Sequence, residues 1–386
     1  MRFSRRLAGL PEYLAAMQAR RVAEARAAGV DVISLGMGDP DMPPPAELCD
    51  ALDRETRAPD AHAYPTNRGL RELREAFAGH YARRFGVVLD PEREVIPLLG
   101  AKEGLAHLCL AQLDPGDVAL VADPGYPVYR GGPAIAGAEA VPLPLREANG
   151  FLPDLDAVSA DDAARANLAI CGYPNNPTGA VADLAFMQQL ARFGLDRDVP
   201  IVHDNAYAEL TYDGFVAPSF LASPDGLDAG IEIYSLSKAL NMPGWRVAFA
   251  VGNGAMLQNL TRLKTNVDAG MFLALQRTAI AAMDLVGPFS AQMTAIYRRR
   301  RDLVCEALGR MGAAVEPPRG GIYVWAPVPP GVRSEAFADR LLENAGVVVG
   351  AGSSYGEFGE GYMRLSLTVP DDRLSEAMER IGTLYT

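Results

Sequence analysis

Ile233-Tyr234-Ser235-Leu236-Ser237-Lys238-Ala239-Leu240-Asn241-Met242-Pro243-Gly244-Trp245-Arg246 is the stretch from which the rest of the chain is read. An apolar run ends in two hydroxyls and a lysine, and an arginine follows eight residues later. Two serines and an arginine can surround a phosphate dianion with charge-assisted hydrogen bonds. The lysine beside them can join covalently to an aldehyde cofactor. The competing reading is a surface lysine after a strand, with the arginine in an ordinary ion pair. On either reading the run ends as a buried strand does in an α/β sheet.

Working outward, the same pattern recurs. Val118–Ala122, Asn167–Cys171, Val199–His203, Ile231–Leu236 and Val247–Val251 are short apolar runs, with helical patterns between most of them, such as Lys102–Leu113 and Leu184–Phe193. The alternation predicts an α/β fold with a mainly parallel sheet and helices on both faces. Upstream, helices are expected over Pro11–Ala28, Ala46–Arg57 and Leu70–Phe85, with a short strand in the run that starts at Asp31. Beyond Gly252 long helices are expected at Ala255–Val267, Leu273–Val286 and Phe289–Met311. Short strands (Ile322–Ala326, Val347–Gly350, Tyr362–Leu367) and helices (Ser334–Asn344, Asp371–Leu384) then predict a smaller α+β unit. The division is an N-terminal arm with part of the small domain (1–45), a large domain (46–285) and a small C-terminal domain (286–386).

Five further segments carry chemistry. In Ile201-Val202-His203-Asp204-Asn205-Ala206-Tyr207 an acid ends a strand, where α/β proteins bind ligands. Asp204 there can hold a pyridine nitrogen protonated, or simply cap a helix. Gly172-Tyr173-Pro174-Asn175-Asn176-Pro177-Thr178-Gly179 is a turn by composition, yet it follows a strand and puts Asn176 at the sheet edge. Leu99-Gly100-Ala101-Lys102 opens a helix whose N–H groups favour a phosphate. Tyr126, in Asp123-Pro124-Gly125-Tyr126-Pro127, can stack on a planar ring or pack in the core. Arg364, inside the apolar run Met363–Leu367, needs an anionic partner, either a substrate carboxylate or a buried Asp or Glu.

Composition bounds the function. The 386 residues are 49% hydrophobic and 22% charged, enough apolar material for two or three domains. A net charge of −12 opposes nucleic-acid or anionic-lipid partners. Met1–Leu10 is basic without an apolar run, and no uninterrupted apolar stretch approaches the ~18 residues that would cross a membrane. The four cysteines form no CxxC pair, and the four histidines no HExxH pair; the expectation is a reducing, cytoplasmic setting and no metal.

In this order the motifs resemble class I/II pyridoxal-phosphate-dependent aminotransferases of fold type I, over essentially the whole chain. Asp123–Tyr129, Asn149–Leu155, Tyr173–Asp183, Asn241–Val247, Tyr323–Pro327 and Tyr355–Gly361 are similar to the bacterial LL-diaminopimelate branch, which adjoins the glutamate–pyruvate (alanine) aminotransferases. The resemblance implies a large domain around a seven-stranded, mainly parallel sheet, and a homodimer with shared active sites. Its substrates are an amino acid and a 2-oxo acid, in the route to lysine if the branch holds. It implies that Lys238 carries pyridoxal 5′-phosphate and moves the proton, that Asp204 pairs with the ring nitrogen, and that Tyr207 and Asn176 contact the ring hydroxyl. Tyr126 stacks on the ring. Gly100, Ala101, Lys102, Ser235, Ser237 and Arg246 surround the phosphate, and Tyr64 reaches the phosphate of the neighbouring subunit. Gly38, Asn176 and Arg364 bind substrate. Three departures stand out: Ala101 where a serine is usual, Ala239-Leu240 in place of Thr-Tyr, and Asn67 where plant-type diaminopimelate enzymes place an acid for the far ammonium. A lyase or cyclase sharing the cofactor is the rival enzyme. A dinucleotide oxidoreductase rests on Gly350-Ala351-Gly352-Ser353-Ser354-Tyr355-Gly356, whose last glycine comes one place late. A regulator's effector domain is opposed by the charge and by the lack of a helix-turn-helix extension.

Overall fold

The structure, a computed structural model, describes Leu10 and residues 12–385. Apart from Leu10, the basic opening stretch and Pro11 lie outside the described residues.

Seven strands make the large sheet: β2 (Val95–Leu98), β3 (Val118–Asp123), β4 (Glu139–Pro144), β5 (Ala166–Cys171), β6 (Ile201–Asp204), β7 (Gly230–Ser235) and β8 (Ala248–Gly252). Their order is β2-β8-β7-β6-β5-β3-β4, and β8 alone runs against the others. The inner strands are buried almost throughout, as a sheet covered on both faces requires. The edges account for the two strands absent from the expectations. β2 and β4 contain Pro97, and Pro142 with Pro144, which an edge tolerates because one side of the strand needs no ladder donors. Proline in both, and partial exposure in β4, removed the apolar signal that marked the inner strands.

Among the described residues the α-helices are α1 (Leu14–Ala27), α2 (Ala46–Thr56), α3 (Arg71–Phe85), α4 (Ala101–Gln112), α5 (Val128–Ala136), α6 (Ala160–Arg165), α7 (Leu184–Arg197), α8 (Gly226–Ala229), α9 (Leu236–Ala239), α10 (Gly254–Val267), α11 (Leu273–Arg310), α12 (Ser334–Ala345) and α13 (Asp371–Gly382). α11 corrects the expectation of two helices. It runs 38 residues with Pro288 inside. An interior proline costs about 3 kcal/mol. Packing on both sides outweighs that: Val286 belongs to one core and Met293 to another. In length and composition α11 also qualifies as a membrane span, a reading the sequence did not raise. Here it packs against α2, α3 and α13, and Arg277 and Asp284 interrupt its apolar first half.

One core runs from Leu48 to Val286 around the large sheet. The other joins Ile33 and Leu35 to residues between Met293 and Ile381. It surrounds a three-stranded antiparallel sheet, β11 (Gly350–Ala351), β12 (Tyr362–Ser366) and β9 (Tyr323–Pro327). β1 (Ile33–Ser34) pairs with β10 (Val347–Val348), tying the N-terminal arm to the C-terminal unit. The expected single strand Val347–Gly350 is thus two pieces in two sheets, because the chain changes neighbours at Val349. Tyr207, from the large sheet's loops, packs in the second core.

Candidate active site

β5, β6 and β7 end side by side, with Cys171 opposite His203 and Asp204 opposite Ile233. The chemistry-bearing loops leave from these ends, at the crevice where α/β sheets place ligands. After β7 the chain turns into α9, and Ser235 Oγ caps the turn by accepting the Ser237 N–H at 3.2 Å. The turn aims Lys238 across the cleft, where its ammonium donates to the carbonyl of Gly38. Burial lowers the Lys238 pKa; the positive charges of Arg364 and Arg246 push the same way, against Tyr323 and Asp39. A larger fraction of neutral, nucleophilic amine results. Gly38 admits no side chain: a Cβ would lie 1.8 Å from the Tyr323 hydroxyl.

Asp204 is buried at the end of β6, and its two oxygens are held separately. Oδ2 accepts from the Tyr129 hydroxyl at 3.0 Å, and Oδ1 from Ala206 N–H at 3.3 Å. Burial raises its pKa to about 6, against these bonds. The protein thus holds a carboxylate with a high proton affinity, which suits a pyridinium N–H. Tyr207 Oη lies 3.3 Å from Tyr323 Oη, and burial drives the Tyr207 phenol well above its ordinary pKa, so it stays a proton donor.

Arg364 stands in β12 of the small sheet. It donates to Asn176 Oδ1 at 2.9 Å and to Gly36 O at 2.7 Å, and its charge stacks on Tyr323 and Tyr355 at 3.9 and 4.7 Å. None of the described residues gives it a carboxylate, and its buried Nε has no partner. The open choice in the sequence therefore falls away: Arg364 does not neutralise a buried Asp or Glu. A guanidinium in this state is ready for an outside anion.

At the other end, α4 starts at Ala101 with no side-chain cap, leaving its first N–H groups and dipole facing the cleft. Arg246, in the left-handed region at φ 59, bonds Pro243 O at 2.7 Å and lies against Gly100. Lys102 Nζ sits 3.4 Å over the Tyr13 ring. Behind this end, fully buried Lys264 bonds Glu103 at 2.6 Å and Asp268 at 2.9 Å, and Glu103 accepts the Leu99 N–H. Glu103, His107 and Asp268 come close enough for a metal, but the Lys264 ammonium already fills that role.

The cleft encloses about 250 Å³. Gly38, Lys102, Tyr126, Asn176, Arg246 and Arg364 line it with Ala101, Asp204, Tyr207, Ser235, Ser237 and Lys238. Two expected residues do not. Gly100 stands behind Arg246, and Tyr64 is 90% exposed on the surface, away from this chain's cleft. Tyr13, Tyr129, Tyr323, Tyr355 and Asp39 belong to the walls without having been singled out for a role. Tyr129 was within reach of sequence reading, three residues after Tyr126. Tyr323 opens a segment that resembles the family, but nothing local gave it a role, and Tyr13 carries no mark at all. The set fits pyridoxal 5′-phosphate: an uncapped helix end with Arg246 and two serines for the phosphate, Asp204 for the ring nitrogen, and a pKa-lowered lysine for the aldehyde.

Residues 30–381 match the family model of aminotransferase class I and II. The chain is 49% identical to an LL-diaminopimelate aminotransferase of Moorella thermoacetica, over 99% of this chain and 98% of that protein. It is 48% identical to one of Desulforudis audaxviator, over 98% and 96%. Among solved structures, BacF of Bacillus subtilis is similar at TM-score 0.95 and 38% identity, covering 100% of this chain and 98% of that one. A Thermus thermophilus aspartate aminotransferase mutant is similar at TM-score 0.92 and 30% identity, covering both chains fully.

Proposed function

The chain belongs to the class I and II aminotransferases and is a pyridoxal-phosphate-dependent enzyme of that family, and from that premise we propose that it moves the amino group of LL-diaminopimelate to a 2-oxo acid, on the route to lysine. The observation that carries the reading is Arg364. A buried guanidinium without a carboxylate partner shares a cleft with Lys238, so an α-amino acid held by its carboxylate would sit over the reactive amine. The relatives' names supply the substrate.

The bound cofactor supplies an aldehyde for a lysine amine and a cationic ring that withdraws electrons from the carbon losing its proton. Ser235, Ser237, Lys102, Arg246 and the start of α4 at Ala101 would hold the phosphate, with Gly100 leaving room for Arg246. Tyr126 would cover the ring, Tyr207 and Asn176 would bond its hydroxyl, and Asp204 would accept its N–H. Lys238 would take the proton from the substrate Cα as a general base and hand it on, away from Cα, as a general acid. Arg364 and Gly38 orient the carboxylate. Asn67 favours a second reading, a glutamate–pyruvate enzyme, since no acid stands there for a far ammonium. We infer a homodimer with shared sites, supported by the exposed Tyr64, and a cytoplasmic setting, supported by four free cysteines. Nucleic acid and membrane are not partners in this reading.

A donor panel decides the substrate: LL-diaminopimelate, alanine, glutamate, methionine and aromatic amino acids against 2-oxoglutarate and pyruvate. LL-diaminopimelate with 2-oxoglutarate should give the highest kcat/KM. A higher value for glutamate with pyruvate would move the assignment to the second reading.

A further inference from the structure

On the sheet directly behind the cleft lies a carboxylate that the chemistry above does not use. Glu232, in the middle of β7, is fully buried and lies opposite His203 in the β6–β7 register. Among the described residues no lysine or arginine pairs with it. Four donors meet it instead. His203 Nδ1 lies 2.8 Å from Oε2, and the backbone N–H of Phe220 donates to the same oxygen at 2.7 Å. Asn205 Nδ2 donates to Oε1 at 3.0 Å, and the Tyr81 hydroxyl donates to the same oxygen at 2.5 Å. His203 Nε2 accepts the N–H of Tyr173 at 3.2 Å, so the ring is neutral and its one proton points at Glu232. Burial alone would raise the Glu232 pKa; these bonds hold it below the ordinary value, so the group stays ionised.

An isolated buried carboxylate is a poor way to stabilise a core, and apolar residues of similar size commonly do as well. What this one does is join loops. Through His203 it holds Tyr173, where the loop carrying Asn176 begins. Through Asn205 it holds the residue after Asp204. We propose that Glu232 is a positioning residue for the cofactor site: from behind the sheet it clamps the loops that present Asp204 and Asn176, and its negative charge strengthens Asp204 as acceptor of the ring N–H. The proposal rests on the reading of Asp204 given above.

Three variants of the full-length holoenzyme test it: Glu232→Gln, Asp204→Asn and the double variant. Glu232→Gln should lower kcat about tenfold, the order of coupling expected between residues linked through shared neighbours, here His203 and Asn205. KM for the amino donor should stay within about twofold, because Arg364 is untouched. Pyridoxal 5′-phosphate titrated into the apoprotein should bind several-fold more weakly, with a shifted absorbance band. In the Asp204→Asn background the same change should cost little more. Glu232→Gln with the parent's kcat and cofactor spectrum, or equal losses in both backgrounds, overturns the proposal. If Glu232→Gln does not fold, His203→Gln serves: it keeps an acceptor for Tyr173 and cuts the link to Glu232, and the same losses are expected. Parent-like kcat and spectrum there overturn the proposal as well. If Asp204→Asn itself keeps full turnover, the reading of Asp204 falls, and this proposal with it.

Discussion

Asp204 shows at single-residue scale how the site trades stability for chemistry. Without a cationic partner, a buried carboxyl with a pKa of about 6 binds its proton more tightly folded than unfolded, where the ordinary value is 3.8. As pH rises from about 4 to about 6, the unfolded chain has already lost that proton, so the cofactor-free protein loses stability across this window. The loss is about 3 kcal/mol and stays complete above the upper limit. An asparagine at this position would carry no charge to desolvate. The cofactor-free Asp204→Asn protein should therefore resist urea better than the parent at pH 7, by about 3 kcal/mol, with the difference vanishing below pH 4. Unfolding curves at several pH values measure this. A less stable variant at pH 7 would mean that the environment of Asp204 favours its anion even without the ring.

Elements decide where these groups can be. α4 offers a phosphate its first N–H groups only because Gly100 turns the chain at φ +91 and leaves room for Arg246. A Cβ at Gly100 would fall 1.9 Å from Arg246 Nη2. Gly100→Ala should expel the guanidinium from the phosphate end and weaken retention of pyridoxal 5′-phosphate about tenfold or more, the worth of a charge-assisted hydrogen bond. Equilibrium dialysis reads this out, and unchanged retention would place the phosphate elsewhere. The loop that carries Tyr355 is tied to the large sheet in a similar way. Asp123 at the end of β3 accepts the N–H groups of Glu357 and Phe358 at 3.2 and 3.0 Å, while Gly125 N–H bonds Tyr355 O at 2.9 Å. These bonds set the ring of Tyr355 against Arg364. Sequence reading marked both segments as matches to one family but could not pair them, since they lie more than two hundred residues apart.

For the whole molecule, the cleft is a seam. Lys238 and Asp204 come from the large sheet, Arg364 and Tyr323 from the small one, Gly38 from the N-terminal arm. Tyr64 belongs to none of these walls. If it serves a second copy's cleft, a Tyr64→Phe chain and a Lys238→Ala chain, each weak alone, should complement when mixed. Half of randomly exchanged dimers are hybrids with one intact site of two, so about a quarter of the parental specific activity should return. No recovery after proven exchange would put Tyr64 outside any site.

Sequence by itself determined the periodic features. Buried inner strands are continuous apolar runs, their ends carry Asp204 and the Ser235–Lys238 turn, and that order of motifs sufficed for the family, the cofactor and the expected site residues. Local patterns follow from local physics, because burial on both faces writes itself into consecutive residues. Tertiary structure alone decided what depends on distant neighbours. It made α11 one helix across Pro288, paired the edge strands β2 and β4 despite their prolines, and brought Tyr129 to Asp204. It also left Arg364 without a carboxylate among the described residues and gave Glu232 four donors from three separate segments. No short stretch encodes these, since each is fixed by which side chains meet when the cores pack.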